Sequence, residues 1–479
     1  MTSMTQSVDH VALLPAYLAA ATAVLVLLTD LIVARRAAVL AVAALGALAT
    51  AAGAIGVGLG DDRQTFCVPG ACSFVANDRS ALVATLFALL TLGVIALSAA
   101  TRDVPPGEYA FLLACSMTGG VALGSAGDLI TLIVALETLT LPLYVLVGLR
   151  RRTVASAEGA VTFFVVSVVA TAVTLLGAAL LYAVSGRVHF ATLATGLPDL
   201  PLTGAAVVLV LAGLAFKVAA VPFHAWAPVA YDGAPVPIAA YLSTASKLGG
   251  VVAILYAVVD GFRPALDLTG PALAVLAVLT MTVGNLVALR QTRMVRLLAW
   301  SSVAQAGYIL APLGAFMLAE GRTDEALSVA VAATVAYTVF YVLLELAAFG
   351  AVVALRPGDD GGQIADYRGA ARAHPWVGAV LVLALVGLAG LPPGLAGLFA
   401  KVVVVRSLLD GGAGWLAVVV ALNAVIGLAY YVRVAAVLYG PSAETPRTRV
   451  PWAVAAALAV VTLAIVVVGF VPQVVLDLA

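Results

Sequence analysis

The chain has 479 residues, of which 63% are hydrophobic and 10% are charged, with a formal net charge of zero and a mean hydropathy of +1.14. Soluble domains average about 45–50% apolar and about 25% charged residues, so this composition excludes a water-soluble globular protein and indicates a polytopic membrane protein. The basic residues are scattered rather than grouped with aromatic ones, which argues against nucleic-acid binding.

Apolar segments long enough to cross a bilayer, which takes about 20 residues, recur along the whole chain. The first follows an N-terminus without the features of a signal peptide, so we expect it to be retained. Short polar loops join the segments, and two of the segments, 203–230 and 375–408, are long and broken by proline. We predict an all-α protein with about fourteen transmembrane helices, near 11–33, 37–59, 80–100, 108–126, 128–149, 157–184, 203–230, 236–259, 271–289, 296–318, 326–354, 375–408, 414–439 and 451–473.

The arginines predict the orientation of these helices. With the N-terminus outside a bacterial plasma membrane, most loop arginines fall inside, as the positive-inside rule requires. Arg433 lies at the end of a span. The outside set is Arg63, Arg79, Arg187, Arg263, Arg322 and Arg406. The inside set is Arg35, Arg36, Arg102, Arg150, Arg151, Arg152, Arg290, Arg293, Arg296, Arg356, Arg368, Arg372, Arg447 and Arg449.

Two of the three cysteines lie in one polar loop, "DDRQTFCVPGACSF". This orientation places Cys67 and Cys72 on the outer, oxidising side, where they can form a disulfide. Two free surface thiols are the alternative. Cys115 lies within a predicted span, where a packing role is expected.

Lysine and arginine occur in different parts of the sequence. Of 24 basic residues only Lys217, Lys247 and Lys401 are lysines, and all three fall inside apolar spans. Arginine stays protonated in essentially any protein environment, whereas a buried lysine can release its proton. A site that binds and releases protons in a low-dielectric interior can therefore use lysine and not arginine. The alternative for any one lysine is a side chain that extends to the membrane interface.

Other ionisable residues also fall inside the spans, where charged groups are costly and indicate function. Glu137 lies in "GDLITLIVALETLTLPLYVL", and Glu345 lies in "VAYTVFYVLLELAAFG" with Tyr337 and Tyr341 at four-residue spacing. His224 has a side chain suited to proton exchange near neutral pH. The structural alternatives are a hydrogen-bonded core histidine at 224 and a hydrogen-bonded structural carboxylate at 345.

Prolines interrupt two of the predicted spans. Pro222 lacks an N–H and leaves the carbonyl of Val218 without its helical partner; Pro392 and Pro393 interrupt the second span. A break within a membrane is tolerated only where protein or water satisfies the backbone. Each interrupted span carries one lysine, before the first break and after the second. A single proline kink is common, but paired breaks in two halves indicate an inverted-repeat transporter.

Several stretches resemble the antiporter-like subunits of proton-pumping NADH–quinone oxidoreductase, respiratory complex I. Within the first of them, "YDGAPVPIAAYLSTASK" is most similar to the subunit N branch of that family. The resemblance covers most of residues 127–440 in family order, whereas the first hundred residues are similar in hydropathy alone. The stretches are "FKVAAVPFHAWAPVAYDGAPVPIAAYLSTASKLGG" (216–250), "GDLITLIVALETLTLPLYVLVGLRRR" (127–152), "RLLAWSSVAQAGY" (296–308), "DYRGAARAHPW" (366–376) and "LAGLPPGLAGLFAK" (388–401).

The resemblance implies a fourteen-helix fold with two inverted five-helix repeats. The corresponding domains are helices 1–3 in 1–107, a first repeat in 108–259, a second repeat in 271–440 and a final helix in 441–479. It also implies that this chain holds no cofactor and no metal, and that quinone, NADH, flavin and iron–sulfur clusters belong to partner subunits. The implied partners are neighbouring antiporter-like subunits, small membrane subunits and lipid.

The resemblance also implies roles for the buried residues. Glu137 matches the fifth-helix carboxylate that tunes its partner Lys217, the lysine of the first broken helix. Lys247 and His224 would relay protons along the central axis to Lys401, which would face the outer exit. Protonation of one buried group lowers the proton affinity of its neighbours, so a change in the first pair would propagate along this line.

Four departures from the family pattern bear on that expectation. Thr162 stands where a sixth-helix lysine is usual, which makes the Glu137 coupling more direct or dependent on water. Val295-Arg296 replaces a lysine–arginine pair. Gln305 replaces the expected tenth-helix histidine, which would weaken the proton link between the halves. Glu345 is a carboxylate where a small or amide side chain is expected.

Other functions remain open from the sequence. The same fold serves multisubunit cation/proton antiporters, and a related complex could take electrons from a donor other than NADH. Neighbouring genes for hydrophilic redox subunits would favour the oxidoreductase, and a cluster of small membrane subunits would favour the antiporter. A solute transporter or scaffold is disfavoured because the polar residues within the spans are of proton-exchanging types.

Overall fold

The computed structural model describes residues 7–101, 104–150, 153–358, 360–441 and 449–477. Helices make up most of this part of the chain, and a single β-hairpin follows the second of them. The elements are α1 (Leu14–Val33), α2 (Arg36–Gly58), β1 (Arg63–Val68), β2 (Ala71–Ala76), α3 (Asp78–Leu97), α4 (Pro106–Gly124), α5 (Leu129–Val147), α6 (Val154–Ser185), α7 (Phe190–Leu193), α8 (Pro201–Lys217), α9 (Trp226–Gly233), α10 (Val236–Tyr241), α11 (Lys247–Leu255), α12 (Leu266–Ala288), α13 (Met294–Leu310), α14 (Asp324–Leu355), α15 (Ala370–Ala373), α16 (Pro375–Ala389), α17 (Leu395–Asp410), α18 (Gly414–Tyr439), α19 (Trp452–Phe470) and α20 (Gln473–Leu476).

Short turns of other helix types join or extend these helices. Two of them are π-helical and flank α11, which carries Lys247 as its first residue. Single π-helical turns are frequent at functional sites. The π-helical turns are Leu242–Ser246 and Tyr256–Gly261, and the 3₁₀ turns are Ser98–Ala100, Arg263–Ala265, Ala311–Met317, Glu320–Arg322 and Ile364–Tyr367.

Ten of the described helical segments are long and apolar enough to cross a membrane. Four of the fourteen predicted spans are not among the ten. α4 is less apolar, α13 has only 17 residues, and the spans 203–230 and 375–408 fold as pairs of shorter helices. The ten are Leu14–Val33, Arg36–Gly58, Asp78–Ala100, Leu129–Val147, Val154–Ser185, Val236–Gly261, Arg263–Ala288, Asp324–Leu355, Gly414–Tyr439 and Trp452–Phe470.

The outer surface of these helices is apolar, unlike that of a soluble protein. Leu31, Val154 and Val425 are more than half exposed on three different helices. α10, α11 and α14 are buried instead, so they form the centre of the molecule. A Cβ on Gly250 would collide with Lys217 and Val218, so this glycine allows α11 to pack against the end of α8.

The loop with the two cysteines folds as an antiparallel hairpin, which the sequence did not predict. Cys67 lies opposite Cys72, and the two form a disulfide rather than free thiols. The hairpin docks on the segment before α5, where the Val75 N–H donates to the carbonyl of Ser125 at 2.8 Å. The free cysteine, Cys115, is half-buried in α4.

Ion pairs between arginines and aspartates connect several segments near the C-terminal end of α5. Arg293 donates to Asp232 and to Asp360, each at 2.8 Å, and Arg150 lies 3.8 Å from Asp360. Arg296 lies 3.9 Å from Asp232. The α12–α13 region is therefore linked to the end of α9 through Asp232 and to the segment after α14 through Asp360. Four arginines that entered the orientation prediction, Arg102, Arg151, Arg152 and Arg447, lie outside the described residues.

Candidate functional site

The three lysine side chains lie in the interior of the protein. Lys217, Lys247 and Lys401 are 5%, 1% and 9% exposed. Each ammonium group donates hydrogen bonds to protein atoms. None of the three therefore extends to the surface of the chain, as the interface alternative would require.

Lys217 ends α8 and pairs with Glu137 on α5. Its Nζ lies 2.7 Å from Glu137 Oε1 and also donates to Thr140 Oγ1 at 3.2 Å and Ser167 Oγ at 3.4 Å. Thr171 on α6 donates to the same glutamate oxygen at 2.6 Å. The pair is thus a charged hydrogen-bonded unit whose remaining partners are hydroxyls. Such a unit can change its charge without losing its hydrogen-bonding partners.

Thr162, at the position where the family pattern has a lysine, is not part of this unit. Its side chain is half-buried and has no hydrogen bond to any described residue. Thr171, nine residues further along α6, supplies the contact from that helix instead. The structure therefore gives Glu137 a neutral donor on α6 in place of a second amine.

The first break in the helices extends from Val218 to Ala225, between α8 and α9. Backbone and side-chain groups satisfy its polar atoms: the Ala220 N–H donates to the carbonyl of Ala215 at 2.9 Å, and Trp226 Nε1 donates to that of Phe216 at 3.1 Å. The Val221 N–H donates to Thr280 Oγ1 of α12 at 2.9 Å. The helix ends before Val218, so Pro222 belongs to a loop rather than to a kinked helix. The Val221–Pro222 bond is cis, as is Pro392–Pro393.

Lys247 is held by the backbone of Ser302, and a group of hydroxyls leads from Ser302 to Glu345. Its Nζ donates to the carbonyl of Ser302. The hydroxyl of Ser302 is 2.7 Å from that of Tyr341, and the Tyr341 hydroxyl donates to the carbonyl of Ser243 at 2.8 Å. Ser243 Oγ donates to Glu345 Oε2 at 3.2 Å. All five side chains are buried.

Gln305 lies between this group and Lys401. Its Nε2 donates to the hydroxyl of Tyr431 at 3.1 Å and to the carbonyl of Leu388 at 3.0 Å, while its Oε1 accepts from Tyr337 at 2.6 Å. Lys401 Nζ donates to the same Leu388 carbonyl at 3.0 Å. The glutamine at the expected histidine position therefore remains in the polar line, although an amide does not titrate.

Lys401 bridges the second break, which separates α16 from α17. From α17 its Nζ donates to the carbonyls of Leu388 and Ala389, the last two residues of α16, at 3.0 and 2.6 Å. A cation is favourable at the C-terminus of a helix. A cavity of about 540 Å³ opens beside it between α17 and α18, with Arg406 and Asp410 at its lining. Lys401 thus lies where the polar interior meets a cavity.

His224 stands apart from the lysines. Its half-buried ring lies in the first break, 5.2 Å from the ring of Trp300, and its Nδ1 has no hydrogen-bond partner among the described residues. In the described part of the chain no hydrogen bond joins His224 to a lysine, and none joins Lys217 to Lys247. The structure therefore forms two separate polar groups, one around Lys217 and one that runs from Lys247 to Lys401.

Comparison with known proteins identifies the family. The family model described as NADH:quinone oxidoreductase/Mrp antiporter, TM matches residues 126–427. The chain is 65% identical to NADH-quinone oxidoreductase subunit N of Salinispora tropica, covering 100% of this chain and 99% of that protein. It is 43% identical to subunit N 2 of Streptomyces griseus, covering 100% and 94%. These alignments include the first hundred residues, which the sequence motifs did not cover.

Solved structures give the same result. A chain of respiratory complex I from Thermus thermophilus superposes with a TM-score of 0.81 at 29% identity, covering 97% of this chain and 99% of that one. A chain of the Mrp complex from Dietzia has a TM-score of 0.83 at 23% identity, covering 97% and 96%, which shows the fold alone. The chain belongs to the NADH:quinone oxidoreductase/Mrp antiporter membrane family and, within it, to the subunit N branch of the antiporter-like subunits of complex I.

Proposed function

We propose that this chain is a proton-translocating subunit of an NADH–quinone oxidoreductase and that quinone reduction in other subunits drives it. The observation that carries the proposal is the set of three buried amines, the first of them paired with Glu137 at 2.7 Å. The relatives named subunit N support the identity of the complex. The chain itself would carry out ion transfer and no redox chemistry.

The proposal includes the finer architecture. Fourteen membrane-spanning helices would form two inverted five-helix repeats, with the breaks at Val218–Ala225 and Gly390–Gly394 in corresponding positions. The N-terminus would lie outside a bacterial plasma membrane. The excess of arginine in the predicted inside loops supports that orientation.

The cofactors and partners follow from the same proposal. Quinone, NADH, flavin and iron–sulfur clusters would belong to partner subunits, and this chain would bind none of them, nor a metal. Neighbouring antiporter-like subunits, small membrane subunits and lipid would contact its apolar outer surface. In the described residues, no group of three or more His, Cys, Asp or Glu side chains is placed to hold a metal ion.

The proposed mechanism is electrostatic. At an effective dielectric constant of 20, two unit charges 4 Å apart interact by about 4 kcal/mol. A change of charge in the Glu137–Lys217 pair would bias Lys247 and then Lys401, with His224 and water carrying protons in the gap between the two polar groups. The hydrogen bonds around each amine support this because they hold the ammonium in place in either charge state of its neighbour.

Lys217→Arg tests the proposal. The guanidinium keeps the positive charge but cannot lose its proton, so we expect proton uptake by membrane vesicles to stop. The matched control is Arg290→Lys, the reverse exchange at an exposed position, for which uptake should be unchanged. Uptake at the wild-type rate in vesicles that contain Lys217→Arg would show that Lys217 does not titrate during transport.

The identity of the complex is tested separately. The complex purified through a tag on this chain should contain hydrophilic redox subunits and should reduce quinone with NADH. Quinone reduction that requires a different donor would assign the chain to a related complex. A set of small membrane subunits without redox partners would assign it to a cation/proton antiporter.

A further inference from the structure

Glu345 has a buried carboxyl group, and one of its two oxygens has no hydrogen-bond partner among the described residues. It lies in the middle of α14 with a side chain that is 0% exposed. Oε2 accepts from Ser243 at 3.2 Å, but Oε1 has no hydrogen-bond partner and no cation lies within salt-bridge distance among the described residues. Buried polar atoms are nearly always hydrogen-bonded. Oε1 therefore lacks the donor that a buried carboxylate needs, and Oε2, which Ser243 contacts, is the atom that can receive a proton from a hydroxyl.

Three hydroxyls lie within hydrogen-bonding distance of one another between Glu345 and Ser302, the serine whose carbonyl accepts from Lys247. Ser243 Oγ lies 3.0 Å from the Tyr341 hydroxyl and 3.2 Å from Ser302 Oγ. Lys247 is anchored on the carbonyl of Ser302, beside that residue's own hydroxyl. Each hydroxyl can accept one proton while it donates its own. The three hydroxyls thus connect the carboxyl group to Ser302, on whose carbonyl the Lys247 ammonium is held.

We propose that Lys247 and Glu345 form one proton-exchanging unit that is connected by the hydroxyls of Ser243, Tyr341 and Ser302. This inference rests on the proposed function and gives the second polar group its own carboxyl–amine pair, as Glu137 and Lys217 form in the first. The ammonium gives a proton to a hydroxyl oxygen, the hydroxyl passes its own proton on, and the last proton reaches Glu345. A charged pair becomes a neutral amine and a neutral acid, with no change in total charge.

A neighbouring residue faces towards the Lys401 side. Ser301 precedes Ser302 on α13, and its hydroxyl lies 2.6 Å from that of Tyr431. Tyr431 in turn accepts from Gln305. The amide does not exchange protons at neutral pH, so Gln305 is a positioning residue that orients the Tyr431 hydroxyl. The carboxyl group of Glu345 is therefore the titratable group in this region, a role that the amide of Gln305 cannot fill.

The test uses Glu345→Gln in the intact complex. This change keeps the shape of the side chain and removes its titration, so we expect proton uptake to fall by about a hundredfold, the lower end for loss of a positioned proton-transfer group. Glu345→Asp keeps a titratable group and should restore part of the uptake with a changed pH profile. The control is Glu325→Gln at the exposed start of the same helix, which should leave uptake unchanged.

Infrared difference spectra during turnover provide a second readout. The carboxyl band of the wild type should disappear in Glu345→Gln, which a merely structural role of Glu345 would not cause. Wild-type uptake or an unchanged band in Glu345→Gln would overturn the inference. If Glu345→Gln does not assemble, Ser243→Ala, which removes the hydroxyl that contacts Glu345, should slow uptake by about tenfold, within the range for loss of one buried hydrogen bond; an unchanged rate would overturn the inference.

A Lys247→Met variant separates this inference from the proposed function. Loss of uptake in Lys247→Met together with wild-type uptake in Glu345→Gln would reject the carboxyl–amine unit and leave the proposed function intact. Wild-type uptake in both variants would reject both. Loss of uptake in both, with restoration by Glu345→Asp, supports the unit.

Discussion

At the residue scale, Thr171 is the residue of the sixth long helix, α6, that contacts Glu137. It donates to the same Glu137 oxygen as Lys217. A hydrogen bond to a charged group contributes about 1.5–3 kcal/mol, so we expect Thr171→Val to lower proton uptake by roughly tenfold and to retain assembly. Thr162→Val, on the same helix but without such a bond, should leave uptake unchanged. Equal uptake in the two variants would contradict this role for Thr171.

The charged residues of the site could be predicted from the sequence, but the hydroxyl groups could not. A lysine or glutamate within an apolar span is costly and rare, so its position is informative. A serine or threonine in a helix can bond to its own backbone. The sequence therefore does not distinguish Thr171 and Ser243 from the many serines and threonines that have no role in the site. Tyr341 was noted for its spacing from Glu345, but its bonds to Ser243 and Ser302 depend on how three helices pack.

At the scale of elements, the first break depends on a side chain from α12. The Val221 N–H donates to Thr280 Oγ1, and Thr280 is 0% exposed. Thr280→Val leaves a buried N–H without an acceptor, which costs about 1–3 kcal/mol. We expect a lower temperature of thermal dissociation of the complex and slower proton uptake.

Thr269 offers a matched control on the same helix. Its hydroxyl is also buried but has no hydrogen-bond partner among the described residues. Thr269→Val removes a polar atom that gains nothing from burial, so the complex should dissociate at the same or a higher temperature. A similar loss of stability in both variants would mean that the contact with Val221 contributes little.

Proline predicted the places where two helices are interrupted, because it removes a backbone donor. It did not predict how long the interruptions are. α8 ends at Lys217, five residues before Pro222; the carbonyl of Phe216 then accepts from Trp226, and the N–H of Val221 donates to Thr280. The hairpin was missed for a related reason, since its short strands show no regular alternation of apolar and polar residues, and its docking depends on contacts before α5.

At the scale of the whole molecule, α5 separates two dissimilar ends. The segment before it, at Gly127, donates to the carbonyl of Ser73 in the hairpin, and Arg150 after it pairs with Asp360 in the arginine cluster. Nineteen residues of helix span about 28 Å at 1.5 Å per residue, close to the thickness of the hydrocarbon core. The hairpin and the arginine cluster therefore belong on opposite faces of the membrane.

The positive-inside rule decides which face is which. Arg150, Arg293 and Arg296 of the cluster all belong to the predicted inside set, so Cys67 and Cys72 should lie outside. After reduction by an impermeant reagent, an impermeant maleimide should label both cysteines in intact spheroplasts and neither in inverted vesicles. In a background without the three native cysteines, Arg290→Cys should show the reverse pattern, because position 290 is exposed on the cluster side. Labelling of the hairpin in inverted vesicles would place the N-terminus inside, and Lys401 would then face the inner side of the membrane instead of the outer exit.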